Sequence, residues 1–265
     1  MGGSGAPATP PPPPGPPGTW PAADPAKTGP FATTTENNVG PGMAFTMVRP
    51  MMLTQRHPVI TWGNGTGTTP SVYRGLLNLY ASHGFIVIAS NSMNVAQGNP
   101  PPMLDGVTWV LEQDTTMGSP LFGHVDRDRI GATGHSQGAF ATTSAGADPR
   151  IKTIAPIESL GTSRGRHGPV LGLCGTMDTV VPCSGNLRGY NAISDQPAMY
   201  AELKTADHMN WIFSAGGNPN PFHVITNAWF RVHLMDDKAL RPMFYGECTL
   251  CKDTNTWVTM RKMMD

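Results

Sequence analysis

The run Arg129-Ile130-Gly131-Ala132-Thr133 leading into Gly134-His135-Ser136-Gln137-Gly138 constrains this chain more than any other segment, because it reads as a strand that turns sharply into a helix at a serine. Small residues two before and two after that serine let strand and helix approach without a Cβ clash. Such a turn strains the serine backbone and lifts its hydroxyl above the sheet. It also sets the serine at a helix N-terminus, where backbone N–H groups and the helix dipole favour a developing oxyanion. The same spacing arises by chance in a chain with 31 glycines, so the surrounding pattern has to decide whether the serine is a nucleophile.

That pattern is an alternation of short apolar runs with helical periodicities. Strands are expected at 43–49, 58–62, 85–89, 129–133, 151–155, 169–174 and, as the last one, 198–203, and helices at 72–83, 103–111, 137–147 and 227–235. The continuous apolar run Phe85-Ile86-Val87-Ile88-Ala89 is typical of a parallel strand buried on both faces. The alternation predicts the α/β class: one domain over 31–265, with a mostly parallel central sheet and helices on both faces. Residues 1–30 are different material, rich in proline and glycine and almost without aliphatic side chains, and read as a disordered spacer.

Composition excludes several partners. Formal net charge is zero and charged residues make up 14% of the chain, with no basic cluster to serve as a footprint for nucleic acid. No stretch approaches the roughly 18 apolar residues of a membrane span. The N-terminus lacks the apolar core of a signal peptide, so secretion would rest on a leader absent from this sequence. The four cysteines, Cys174, Cys183, Cys248 and Cys251, permit three pairings that sequence cannot choose among, and inert thiols stay open beside them. No histidine pair near them has the spacing of a zinc site, and neither metal nor cofactor is expected. The chain is expected to act as a monomer.

A nucleophilic serine needs a base within hydrogen-bond reach and an acid to hold that base in the right tautomer. In the α/β-hydrolase arrangement they follow in the order serine, acid, histidine, on loops after later strands. Asp178, in the loop after the run ending at Cys174, and His208, in the loop after the run ending near Leu203, meet that order with Ser136. Asp207 is a rival acid, but its side chain, next to His208 in sequence, would point away from the imidazole. His135 reads as packing against the turn. The oxyanion would be held by two backbone N–H groups, those of Gln137 and of Asn64 in Trp62-Gly63-Asn64-Gly65.

With these residues in view, the chain after the spacer resembles the cutinase-like polyester hydrolases, a group that includes the poly(ethylene terephthalate) hydrolases. The resemblance is carried by Leu79-Tyr80-Ala81-Ser82-His83-Gly84-Phe85-Ile86-Val87-Ile88-Ala89, by Phe122 through Gly131 on the approach to the serine, by Gly175 through Val181, by His208, and by Phe244-Tyr245-Gly246-Glu247-Cys248. It implies a secreted α/β-hydrolase without metal that cleaves an ester or polyester in an open cleft. Family members usually carry an aromatic residue at the position held by Asn64, Met at that of Gln137 and Trp at that of Leu160. Leu160 and Trp211 are therefore the expected pocket wall, with Trp62 as another candidate. These departures leave aliphatic polyesters and short acyl esters open beside an aromatic polymer. A carboxylesterase of small soluble esters and a hydrolase-like binding protein are the alternatives.

Overall fold

The computed structural model describes residues 19–98, 102–162, 165–209 and 220–265. Its strands are β1 (Thr33–Val39), β2 (Phe45–Pro50), β3 (His57–Gly63), β4 (Ile86–Ser90), β5 (Val125–His135), β6 (Ile151–Ile157), β7 (Val170–Gly175), β8 (Ala198–Leu203) and β9 (Trp257–Lys262). The α-helices are α1 (Arg74–Ser82), α2 (Pro102–Gln113), α3 (Gln137–Ala145), α4 (Cys183–Asn191), α5 (Pro221–Leu234) and α6 (Thr249–Lys252).

All nine strands form one sheet in the order β1-β2-β4-β3-β5-β6-β7-β8-β9. The six from β4 through β8 are mutually parallel, and β1, β2 and β9 join antiparallel at the two edges. The strand order reverses around β3, with β4 on one side and β5 on the other. The carboxyl ends of strands flanking such a reversal leave a crevice where open α/β sheets bind ligands.

Helices cover both faces because the central strands are apolar on both. Along β4, Val87 and Ala89 point into a core filled by Leu76 and Tyr80 of α1 and Trp229 and Phe230 of α5. Ile86 and Ile88 point the other way, into a core with Val107 of α2, Ala141 of α3 and Tyr190 of α4. Burying each large apolar side chain contributes about 1.5–3 kcal/mol, so two continuous cores fix the sheet rigidly. Helix α1 ends at His83, where Gly84 takes a φ of 105°. A Cβ at Gly84 would also lie 2.5 Å from the Trp20 ring. Helix α5 starts at Pro221 with the Asn220 side chain accepting from the Phe222 N–H at 2.9 Å.

Three expectations change. The strand at 198–203 is not the last, because β9 pairs beyond it, and β1 adds an edge strand before 43–49. The spacer does not run to residue 30 as a free segment. Trp20 packs edge-on against His57 at 5.2 Å, the carbonyls of Ala23 and Pro25 accept from Arg231 and Asn227 of α5, and the Gly29 N–H donates to Ser82 Oγ. One aromatic ring and a series of carbonyls tie residues 19–30 to the domain; the proline tract itself, 10–14, lies outside the described residues.

Candidate active site

At the end of β5 the backbone turns through Ser136, which adopts φ 53° and ψ −115°, straight into α3. The two flanking glycines are demanded by space. A Cβ at Gly134 would lie 2.6 Å from the carbonyl oxygens of Gly63 and Gly138, and one at Gly138 would overlap the Gly63 oxygen. Strand β3 and helix α3 therefore touch through bare backbone. The Ser136 N–H donates to Ile157 O of β6 at 3.0 Å, which fixes the turn from its other side.

Asp178 lies three residues past β7, in a loop closed by a Cys174–Cys183 disulfide, a cross-link of this loop size being worth about 2.5 kcal/mol. One of its oxygens, Oδ1, accepts from the Val180 and Val181 N–H groups, both at 2.8 Å, and this leaves Oδ2 for another partner. His208 supplies it, with Nδ1 at 2.7 Å from Asp178 Oδ2 and Nε2 at 3.0 Å from Ser136 Oγ. The strands that precede Ser136, Asp178 and His208, namely β5, β7 and β8, are parallel, so the segments that follow them emerge at one edge of the sheet. The other bridge, Cys248–Cys251, stabilises the segment before β9.

Two neighbours go beyond the sequence reading. Glu158, the first residue past β6, is fully buried, and its Oε2 lies 3.1 Å from His135 Nε2 and 3.4 Å from His208 Nδ1. Sequence offered one signal for it, a carboxylate directly after an apolar strand. His135 is more than packing: its Nδ1 meets the Tyr73 hydroxyl at 3.1 Å, and Tyr73 accepts from the Gly65 N–H at 2.9 Å. Burial, helped by the neighbouring His208, pushes the His135 imidazole down to about 3. At neutral pH its contact with Glu158 is therefore a hydrogen bond from a neutral ring, not an ion pair.

The expected oxyanion and pocket residues fare differently. Gln137 begins α3, where its N–H has no intrahelical partner. Its side chain bridges two loops, donating to Thr66 Oγ1 and accepting from the Ala96 N–H, each at 3.3 Å. Asn64 is corrected: it has 0% exposure, and its side chain is taken up by Trp62 Nε1 and by the carbonyls of Ser90 and Ser92. A residue sealed in this way presents no N–H to a ligand. Leu160 is also corrected, since it is buried in the α2–α4 core against Gly172 and Gly189 and forms no pocket wall. Trp62 is likewise fully buried. Trp211 lies outside the described residues.

His135, Glu158 and His208 also form a group whose nitrogen and oxygen atoms lie within 4.8 Å of one another, the reach of a metal ion. The hydrogen bonds from His135 Nε2 to Glu158 Oε2 and to the His208 carbonyl, and the Asp178 carboxylate on His208, already account for that closeness. The second such group, Cys174, Cys183 and Glu202, has its two sulfurs joined to each other. No described helix is long and apolar enough to cross a membrane.

A mostly parallel sheet reversed at β3, with a strained serine on the turn between its central strand and the next helix, defines an α/β-hydrolase. The chain belongs to the PET hydrolase-like family, whose model matches residues 9–262. It is thus a hydrolase acting on esters. No curated protein matches the sequence.

Proposed function

We propose that the protein is a secreted serine polyesterase in which Ser136 is the nucleophile, His208 the proton shuttle and Asp178 the carboxylate that orients it. The observation that carries this reading is the continuous line from Ser136 Oγ to His208 Nε2 at 3.0 Å and from His208 Nδ1 to Asp178 at 2.7 Å. Ser136 Oγ adds to the ester carbonyl carbon while its proton passes to His208 Nε2, and Asp178 stabilises the imidazolium that forms. His208 then returns the proton to the departing alcohol oxygen, leaving an acyl-enzyme. Water repeats the sequence, releasing the carboxylic acid and free Ser136.

The tetrahedral oxyanion is held by the Gln137 N–H and, in place of Asn64, by the N–H of Thr66. Thr66 is exposed on the loop after β3, and its side chain already meets that of Gln137. A donor of this kind is worth about 10²–10³ in rate.

Exposed apolar side chains stand beside this polar line. Met177 and Val180 flank Asp178, Met209 follows His208, and Phe140 lies one turn into α3 from Ser136; all four are exposed. An apolar rim of this kind supports a hydrophobic chain lying across the serine. The two disulfides suit an oxidising, extracellular setting.

The test is to incubate the purified protein with a short nitrophenyl ester and with aliphatic and aromatic polyester films, Ser136→Ala serving as the control. Hydrolysis of the ester and soluble products from at least one film are expected, both absent in the variant. An active Ser136→Ala sinks the assignment. Turnover of the short ester with no release from any film would confine the chemistry to small soluble esters.

A further inference from the structure

We infer that Glu158 is a second carboxylate for the base: a positioning residue that shares the Nδ1–H of His208 with Asp178. It is itself held by a line of hydrogen bonds running back through His135 and Tyr73 to the loop after β3. The inference rests on the reading of Ser136 as nucleophile and His208 as base.

The placement is built, not incidental. In the β5–β6 pairing His135 lies opposite Ile157, so the next residue on each strand, Ser136 and Glu158, stand side by side at the carboxyl edge. The backbone around Glu158 is pinned from both neighbours: Ile157 O accepts from the Ser136 N–H, and the Glu158 N–H donates to Leu173 O of β7 at 2.7 Å. Glu158 takes a φ of 63°, a left-handed conformation that is costly for a residue with a Cβ and that the surrounding strands enforce. That turn aims a carboxylate into the protein beneath His208. A buried carboxylate is expensive unless its charge meets donors or a cation. Here it meets two imidazole rings and no solvent.

Donor and acceptor roles run in one direction. With the Glu158 carboxylate as acceptor, His135 donates its Nε2–H to Glu158 Oε2, which leaves Nδ1 to accept from the Tyr73 O–H, and the Tyr73 oxygen in turn accepts from the Gly65 N–H. His135 is neutral, because burial holds it near 3. It therefore orients Glu158 without cancelling its charge. Burial raises the Tyr73 phenol, and the Glu158 charge adds to that rise. Among the described residues, the titratable side chains meeting His208 or Glu158 come from different elements: Asp178 from the loop after β7, Glu158 from just past β6 and His135 from the end of β5. When His208 takes the serine proton, its Nδ1–H has Asp178 at 2.7 Å and Glu158 at 3.4 Å, two acceptors for one developing cation. The same line joins the base to Gly65, the residue before the proposed Thr66 donor, so base and oxyanion loop share one scaffold.

The test measures kcat/KM for a short nitrophenyl ester against pH in the parent, Glu158→Gln, Asp178→Ala and the double variant, with Ser136→Ala as the floor. Glu158→Gln removes a negative charge from beside the imidazolium, so the acidic limb moves to lower pH by roughly 0.5–1 unit. A merely structural role would lower the amplitude and leave the limb in place. Asp178→Ala keeps roughly tenfold or more activity above the floor, because Glu158, 3.4 Å from Nδ1, takes over as its acceptor, and the double variant falls to the floor. An acidic limb in Glu158→Gln that coincides with the parent's, or an Asp178→Ala no more active than Ser136→Ala, overturns the inference. If Glu158→Gln fails to fold, the Asp178→Ala comparison decides alone. An active Ser136→Ala would instead remove the underlying assignment, an outcome distinct from either.

Discussion

Histidines are buried at both ends of the parallel strands, and they are held in opposite ways. At the amino end, His57 Nδ1–H donates to Gly84 O at 2.6 Å, while His83 donates through Nε2 to Lys27 O and accepts at Nδ1 from Arg231. Carbonyls and a guanidinium fix these rings as neutral imidazoles. Burial lowers His57 to about 4 and holds His83 below its ordinary value. At the carboxyl end, His208 has a carboxylate on one nitrogen and a hydroxyl on the other. Burial by itself makes a histidine inert; the carboxylate gives a proton somewhere to stay, and the hydroxyl gives it somewhere to come from.

Exchanging the same side chain at the two ends is the strongest way to break this contrast. His208→Gln is expected to lower kcat/KM by about 10⁴ or more while leaving thermal unfolding nearly where it was, because the proposed base is lost from a partly open site. His57→Gln should do the reverse. It disturbs the hydrogen bond to Gly84 and the packing of Trp20 and Phe31 on the ring, costing about 1–3 kcal/mol of stability with kcat/KM within twofold of the parent. Calorimetry and a nitrophenyl ester assay on the same samples decide. Activity that tracks stability in both variants would erase the distinction.

Acid sharpens the contrast further. Burial holds His57 near 4, and both His135 and His233 near 3, against about 6.5 in an unfolded chain. For such groups the unfolded chain binds protons that the fold refuses as pH drops below 6.5. Their stabilising contribution is thus complete above pH 6.5, is lost as pH falls toward 4, and levels off once the folded rings protonate. The expected loss is on the order of a few kcal/mol, read as a falling midpoint in urea at pH 7, 5.5 and 4.5. His57→Gln, which cannot protonate, should show a shallower slope than the parent. An equal slope would mean that His57 is not a source of the acid sensitivity.

The asymmetry between the two ends also marks what the sequence could disclose. The central strands were legible because runs such as Phe85 to Ala89 are apolar on both faces, and the serine turn because Gly134 and Gly138 are forced by backbone contact. The edge strands were not: β1 reads Thr-Thr-Thr-Glu-Asn-Asn-Val and β9 ends in Arg-Lys, both half-solvated and without clean alternation. Asn64 was misread because it is the first polar residue past its strand, and only the fold reveals the Ser90 and Ser92 carbonyls that claim it. Leu160 followed from resemblance alone, and helix α4, with Asn186 accepting from the Leu160 N–H, draws it inward. Glu158 stayed hidden because its partner ring, on β5, is set by strand register, which leaves no spacing motif.

The smallest expected effect lies within the oxyanion loop, where the proposed donor is Thr66 in place of the Asn64 expected from sequence. Asn64→Ala strands the buried Trp62 indole N–H and the Ser90 and Ser92 carbonyls, an expected loss of about 1–3 kcal/mol of stability. Thr66→Ala keeps the proposed oxyanion N–H and removes only the 3.3 Å contact to Gln137 Nε2. Gln137 remains tied to the Ala96 N–H on its other side, so the loop keeps one of its two tethers. Thr66→Ala should therefore lower kcat/KM only about two- to threefold, less than one neutral hydrogen bond is worth. A hundredfold loss would mean that the threonine hydroxyl, not the main chain, meets the substrate, and the loop after β3 would then act by side-chain contact.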